Sequence, residues 1–320
     1  MTSTPGLTLR REPVPVVEAL PTAAGPEPLL DTGLRRRHLR LPAAPLQLVA
    51  GLATRSSWWL DLADQRDRRW WPQGVAVVPG RLDLVASTAY ARRVGEERRP
   101  QGARLTLHDV RRGRYAHVRL VEPDLTGDGW RPWVGHAGGL VWLDDDRALV
   151  AATARGLVEV SLRDLRPEPS VPEGWVLPVS ARWVAGTDDG RTGPTEPLRY
   201  SFCSLTPAGD LLVGEYGRGA HSRRLVRWTL AGAPVPTSLP DGPRGMQGAV
   251  LGADGRLLVS TSRGPTSRGS LWTGRPGALV EHPHALPVGC EDLDLAGSDL
   301  WTVSEHPWRR GLHRIDTTGS

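Results

Sequence analysis

Four side chains able to move protons stand beside turn glycines or at the ends of short apolar runs: His136, Glu215, Glu291 and Glu305. His136 follows Trp133 and precedes Gly138 and Gly139, so backbone closes tightly around an imidazole that titrates near neutral pH and suits general acid or base work. Glu291 is adjacent to Asp292 in an apolar run, where strand alternation would send the two carboxyls to opposite sides. Register with Gln73 and Gln247 makes Glu291 the one expected to face a common centre. Glu215-Tyr216 and Glu305-His306 close two other runs in the same manner and bring two further acids toward it. Carboxyls and an imidazole sharing a water-poor space shift one another's pKa values, which is how an acid and a base are set up at one pH. The chemistry this predicts is proton transfer without a cofactor, as in hydrolysis, elimination or cyclisation.

The expected partner is a small, partly apolar molecule. Gln73 and Gln247 would orient it. The chain has 13 Trp against one Phe and four Tyr, and Trp71, Trp133 and Trp308, with Tyr216 and His306, are expected to wall its pocket. Trp142, Trp228, Trp272 and Trp301 fall inside strand-like runs and read as core. Each candidate also has a plain structural use: rim tryptophans pack loops, and His136 can be a buried histidine with its hydrogen bonds satisfied.

Other chemistries lack their residues. The chain contains neither Lys nor Asn, so Schiff-base chemistry, a pyridoxal-phosphate anchor, a Walker A loop and N-glycosylation are excluded. There is no Gly-x-Ser-x-Gly elbow, and Cys203, beside Phe202, reads as a core thiol. No glycine-rich dinucleotide fingerprint opens a helix, and no spaced ligand set calls for a metal, His282 and His284 lying in an outer loop. No cofactor or metal is therefore expected. Two cysteines, Cys203 and Cys290, cannot build a disulfide framework or a structural zinc site alone.

A net charge of +5 comes from 40 Arg scattered among 35 acids, so no basic stripe marks a nucleic-acid surface. No apolar run of about 18 residues suggests a membrane span, and the N-terminus lacks the pattern of a secretory signal. A cytoplasmic protein is expected. The bias toward Ala, Arg, Gly and Pro is that of a GC-rich genome, which extends the expectation to bacterial specialised metabolism.

The elements that must position these residues are short strands. With 37 Gly and 29 Pro, helical periodicity is broken almost everywhere, whereas alternating runs such as Leu82–Ser87 and Leu105–Asp109 recur between turns. Five segments repeat a small or polar entry, an apolar strand, a turn, and a second apolar strand ending in hydroxyls or acids. Their entries at Gln73, Gly138, Cys203, Gln247 and Glu291 are spaced 65, 65, 44 and 44 residues apart. About 44 residues is the size of a four-stranded propeller blade.

On these repeated strand pairs, over residues 36 to 316, the chain resembles the β-propeller superfamily. The resemblance is architectural, since no WD dipeptide, Kelch glycine pair or Asp-box is present. It implies an all-β ring of five blades, or six if residues 43 to 70 build their own, with ligand sites on the face carrying the entry loops and second-strand ends. That face collects Tyr90, Thr153 and Ser201 beside the candidates above. The last blade lacks a fourth strand, and His38–Pro42 is expected to supply it, closing the ring from the N-terminus. Residues 1–30 are expected to be a strap or tail and 31–320 one propeller domain. The alternative function is a non-catalytic propeller binding a glycan or a protein. Unlike residues at the equivalent positions 73, 138, 203, 247 and 291 favour one asymmetric site.

Overall fold

Alternating Leu, Val and Ala side chains fill the faces between neighbouring sheets, and Gly and Asp supply the turns, so the apolar pairs of the repeat form antiparallel strands. The computed structural model describes residues 6–15, 21–39, 49–94, 102–124, 129–187, 197–218 and 221–317. β1 (Leu7–Pro13), β2 (Arg36–Arg37), β3 (Thr54–Trp59) and the short helix α1 (Leu62–Arg66) precede the first repeat. β4 (Trp70–Val77), β5 (Leu84–Ala91), β6 (Ala103–Asp109) and β7 (Arg114–Pro123) then pair in sequence order, with β8 (Trp130–Pro132) on the end of β7. β9 (Leu140–Trp142), β10 (Arg147–Ala151) and β11 (Leu157–Ser161) lead through β12 (Arg166–Pro167) to the long β13 (Trp175–Thr187). A short parallel pairing of β13 with β7, Val176 opposite Arg119, fuses these units into one 12-stranded sheet.

Three four-stranded sheets follow. The first is β14 (Phe202–Leu205), β15 (Leu211–Gly214), β16 (Leu225–Thr229) and β17 (Val235–Leu239). The second is β18 (Met246–Leu251), β19 (Leu257–Thr261), β20 (Arg268–Arg275) and β21 (Ala278–Val288). The third is β22 (Cys290–Ala296), β23 (Asp299–Ser304), β24 (Gly311–Ile315) and, from the other end of the chain, β3.

The first strands of the units, β4, β9, β14, β18 and β22, touch one another in that order and β22 returns to β4, so they ring a common axis. This is a β-propeller. The approach at the axis is close enough to explain the small entries of the repeat. A Cβ on Gly74 would lie 2.7 Å from the Gly139 carbonyl carbon, and one on Gly139 would lie 2.4 Å from the Cys203 nitrogen. Core clusters fill the spaces between successive sheets, for example Val141, Leu149, Leu211 and Trp228, or Val75, Val85, Trp301 and Val303. Trp142, Trp228 and Trp301 are buried there, as their place inside strands implied, and Trp272 is partly buried against the core.

The strand that closes the ring differs from the sequence expectation. The strand that completes the last sheet is Thr54–Trp59, with Ser57 opposite His313, not His38–Pro42. Leu39 makes only a single bridge to Trp59, and residues 40–42 lie outside the described residues. The polar run Arg55-Ser56-Ser57 has no apolar alternation because an outermost strand needs none, so it carried no strand signal. Within residues 1–30, Leu7–Pro13 is a regular strand on the edge of β13, tied by Arg11 to Glu159 at 2.8 Å. Among the described residues no helix is long and apolar enough to cross a membrane.

Candidate functional site

The inner strands do not run straight at the entry end. The pairing slips between Pro72 and Val75, between Met246 and Gly248, and between Cys290 and Leu293. Each slip is a bulge, and the bulged residues include Gln73, Gln247 and Glu291. A bulge frees a side chain from strict alternation and re-aims it, which here turns all three into a cavity of about 300 Å³ at the mouth of the axis. Glu305, just after β23, and Tyr216, just after β15, reach the same cavity from second-strand ends, and His136 reaches it from the loop before β9.

The bulge also settles the neighbouring acid. Asp292 is fully buried beneath the cavity, where its Oδ2 accepts hydrogen bonds from Leu140 N at 3.1 Å and Val75 N at 3.3 Å. It thus ties β22 to both β4 and β9, although burial holds its pKa far above the usual carboxylate range.

Glu291 and Glu305 form the polar centre of the cavity. Gln247 Nε2 donates to Glu291 Oε1 at 3.0 Å, and Gln73 Nε2 donates to Glu305 Oε2 at 3.1 Å. The two carboxyls also hydrogen-bond to each other. Burial and then the charge of Glu305 hold Glu291 well above the usual range, so it keeps its proton. Burial pushes Glu305 up to about 7, against the hydrogen bonds from Glu291 and Gln73 that favour its ionised form. Two like charges this close in a poorly solvated site cannot both ionise at neutral pH, so the pair holds one proton.

Around the pair, Tyr90 stacks on His136 with ring centroids 4.3 Å apart. Burial, then the charge of Glu305, pushes the Tyr90 phenol up to about 12, and burial lowers the pKa of His136, leaving both rings neutral. Burial likewise raises the Tyr216 phenol, and Arg218 lies 5.5 Å over its ring.

Of the residues singled out from sequence, His136, Glu291, Glu305, Gln73, Tyr216 and Gln247 line this cavity. Glu215 does not. It is fully buried, gripped by Arg224 at 2.7 Å, by Ser222 and by the Arg199 backbone N–H at 3.0 Å. Burial alone would raise its pKa, but the bonds from Arg224 and Ser222 outweigh that and hold it below the usual range. Trp133 is buried in the core, its ring packed on Gly135. Trp308 is 62% exposed with Arg66 over its ring. Trp71 and His306 meet edge to face at 5.5 Å in a neighbouring pocket.

Arg199 also lines the cavity and had no sequence signal in the register used, which set Gly138 level with Cys203. In the structure Gly138 abuts the Ser201 carbonyl, so Arg199 stands level with His136, each two residues before its contact point. Correcting that register by two residues would have found it. Among the described residues no group of three or more His, Cys, Asp or Glu is arranged to hold a metal ion.

The closed ring and its mouth cavity place the chain among β-propellers. No protein-family model matches the chain, nor does any curated protein sequence. Among solved structures, the chain is similar to a gluconolactonase from Xanthomonas campestris at 13% identity and TM-score 0.43, covering 99% of this chain and 89% of that one. It is similar to an aldose sugar dehydrogenase from Streptomyces coelicolor at 18% identity and TM-score 0.41, covering 84% and 81%. It is also similar to a virginiamycin B lyase from Staphylococcus aureus at 13% identity and TM-score 0.38, covering 77% and 94%.

Proposed function

We propose that the mouth cavity is the active site of an acid–base enzyme acting on a small, partly apolar molecule by hydrolysis, elimination or cyclisation, without a resident cofactor. We count the ring as five blades, one for each inner strand. The observation that carries the functional reading is the one-proton pair of Glu291 and Glu305, each held by its own amide. In this reading Glu305 takes a proton from substrate or water, and Glu291, still protonated, donates one to the leaving or developing oxyanion. The Tyr90–His136 stack offers a flat wall for the apolar part of the substrate, beside Arg199, whose guanidinium is held by the Tyr216 and Ser222 carbonyls and by Glu215. A volume of about 300 Å³ is at the small end of ligand sites, which suits a substrate of modest size.

The test is to release and identify by mass spectrometry what the purified protein retains from a metabolite extract, comparing wild type with Glu291→Gln. The variant keeps the shape and the amide contact but loses the acid. It should retain unreacted ligand and turn it over at least about a hundredfold more slowly, the usual scale for losing a general acid or base. Full turnover in Glu291→Gln would remove the acid–base reading.

A further inference from the structure

Next to the mouth cavity lies a second pocket, of about 500 Å³, lined by Arg68, Trp71, Arg92, Arg93, His306 and Arg309 together with Val94 and two prolines. No carboxylate is among its lining residues. In another basic cavity the arginines are met by acids. The larger basic cavity of about 520 Å³ beside α1 shows the contrast, because Arg36 and Arg104 both reach Asp64 there and Arg119 is paired with Glu173. That cavity is an internally neutralised network that braces the helix against the first sheet. At the second pocket the one described acid within ion-pair reach of a lining side chain is Glu305, beside His306.

Its walls are built rather than incidental. The Arg92 guanidinium lies 4.9 Å over the Trp71 ring, a stacking that fixes a long flexible side chain in place. Trp71 is in turn set edge to face against His306 at 5.5 Å. His306 is only 8% exposed, and its Nε2 has no hydrogen-bond partner although it lines the pocket. Arg309 is anchored by donating to the Pro265 carbonyl. Burial and the charges of Arg309 and Arg310 keep the imidazole neutral, which leaves it a ring N–H to give to an acceptor. The pocket also shares a wall with the acid–base pair: Glu305 and His306 are consecutive, one facing each cavity, with Glu305 Oε1 3.5 Å from His306 Nε2.

We infer that this pocket is an oxyanion subsite that seats a phosphate or carboxylate of the molecule whose reacting part occupies the Glu291–Glu305 cavity, an assignment that rests on the acid–base reading of that cavity. Planar guanidinium forks match the oxygens of either group in pairs, and among the described residues no acid lies within ion-pair distance of Arg68, Arg92 or Arg93. The substrate class is then a small molecule with an apolar or neutral reacting end and an anionic end. Binding energy from the anionic end, remote from the reacting bond, would hold that bond against the carboxyl pair.

The experiment measures anion binding directly on the full chain, with no turnover required. Inorganic phosphate is titrated and followed by 31P line broadening, and acetate is added as competitor. Wild type should bind phosphate with a strong dependence on salt, and Arg92→Gln/Arg93→Gln should weaken it at least about tenfold, since both changes lie on exposed side chains that the fold does not need. Glu291→Gln should leave phosphate binding unchanged. Displacement by millimolar acetate would assign the subsite to carboxylates, and its absence would assign it to phosphates. Equal phosphate binding by wild type and the double variant, or no binding by wild type of either anion, would overturn the subsite. Because Glu291→Gln tests turnover and the arginine variant tests anion binding, failure of one reading is distinguishable from failure of the other.

Discussion

The carboxyl groups of Glu291 and Glu305 meet in one cavity at the open end of the β22–β23 hairpin, where Cys290 pairs with Ser304. Gln247 and Gln73 hold them from behind at 3.0 and 3.1 Å, so neither can rotate away from the other without losing its amide.

The first prediction is the shape of the pH–rate profile. The base must be ionised and the acid protonated, so activity should rise as Glu305 loses its proton near about 7 and fall at higher pH when Glu291 does. Glu305→Gln should remove the rising limb and lower kcat about a hundredfold. A profile flat from pH 5 to 9 in wild type would contradict the paired roles.

The second prediction concerns stability. Glu291 holds its proton more tightly folded than unfolded, so the folded chain binds more protons once pH exceeds the unfolded value of about 4.3, and stability falls as pH rises toward the folded pKa. Each pH unit in that window costs about 1.4 kcal/mol through this one group. The histidines act oppositely: burial depresses His38 to about 4 and His313 to about 3, so their contribution is present above about 6.5 and is lost as pH falls toward those values. Comparing wild type with Glu291→Gln cancels the histidines. Urea denaturation should show equal stability near pH 4.5 and a variant increasingly more stable toward pH 8; parallel curves would show that Glu291 is not buried as a neutral acid.

The third prediction separates two adjacent acids. Asp292→Ala leaves the N–H groups of Val75 and Leu140 without their shared acceptor at the axis, which should cost about 2–5 kcal/mol. Asp292→Asn keeps an acceptor oxygen and sheds the difficulty of a buried acid, so it should cost far less. Thermal melting of the two variants decides it, and an equal loss in both would mean the acceptor role is not what the site requires.

The fourth prediction is about ring closure. β3 covers the edge of β24, and Ser57 Oγ meets His313 Nδ1 at 2.9 Å across that pair. Removing residues 1–15 strips only β1 from the edge of β13 and should lower the melting temperature while leaving a cooperative transition. Removing residues 1–60 uncovers β24 and should abolish the cooperative melt and promote aggregation. A shortened chain that still melts cooperatively near the wild-type temperature would show that β3 is dispensable.

The sequence alone determined the strand pairs, the ring they form and the inward position shared by Gln73, Gln247 and Glu291. These follow from local rules: alternation sets which face is apolar, and a recurring small entry marks where the inner strands crowd together at the axis. Tertiary structure decided which polar groups remain free to act. Glu215 and Glu305 end equivalent strands and look alike in sequence, yet Arg224 consumes the first while Glu291 meets the second, because the partner of a charge comes from a distant segment whose approach no local pattern encodes. The same holds for closure. The run Arg55-Ser56-Ser57 is polar because it is outermost, so it became a strand only through the unpaired edge of β24, and Trp133 sank into the core because Gly135 left room for its ring.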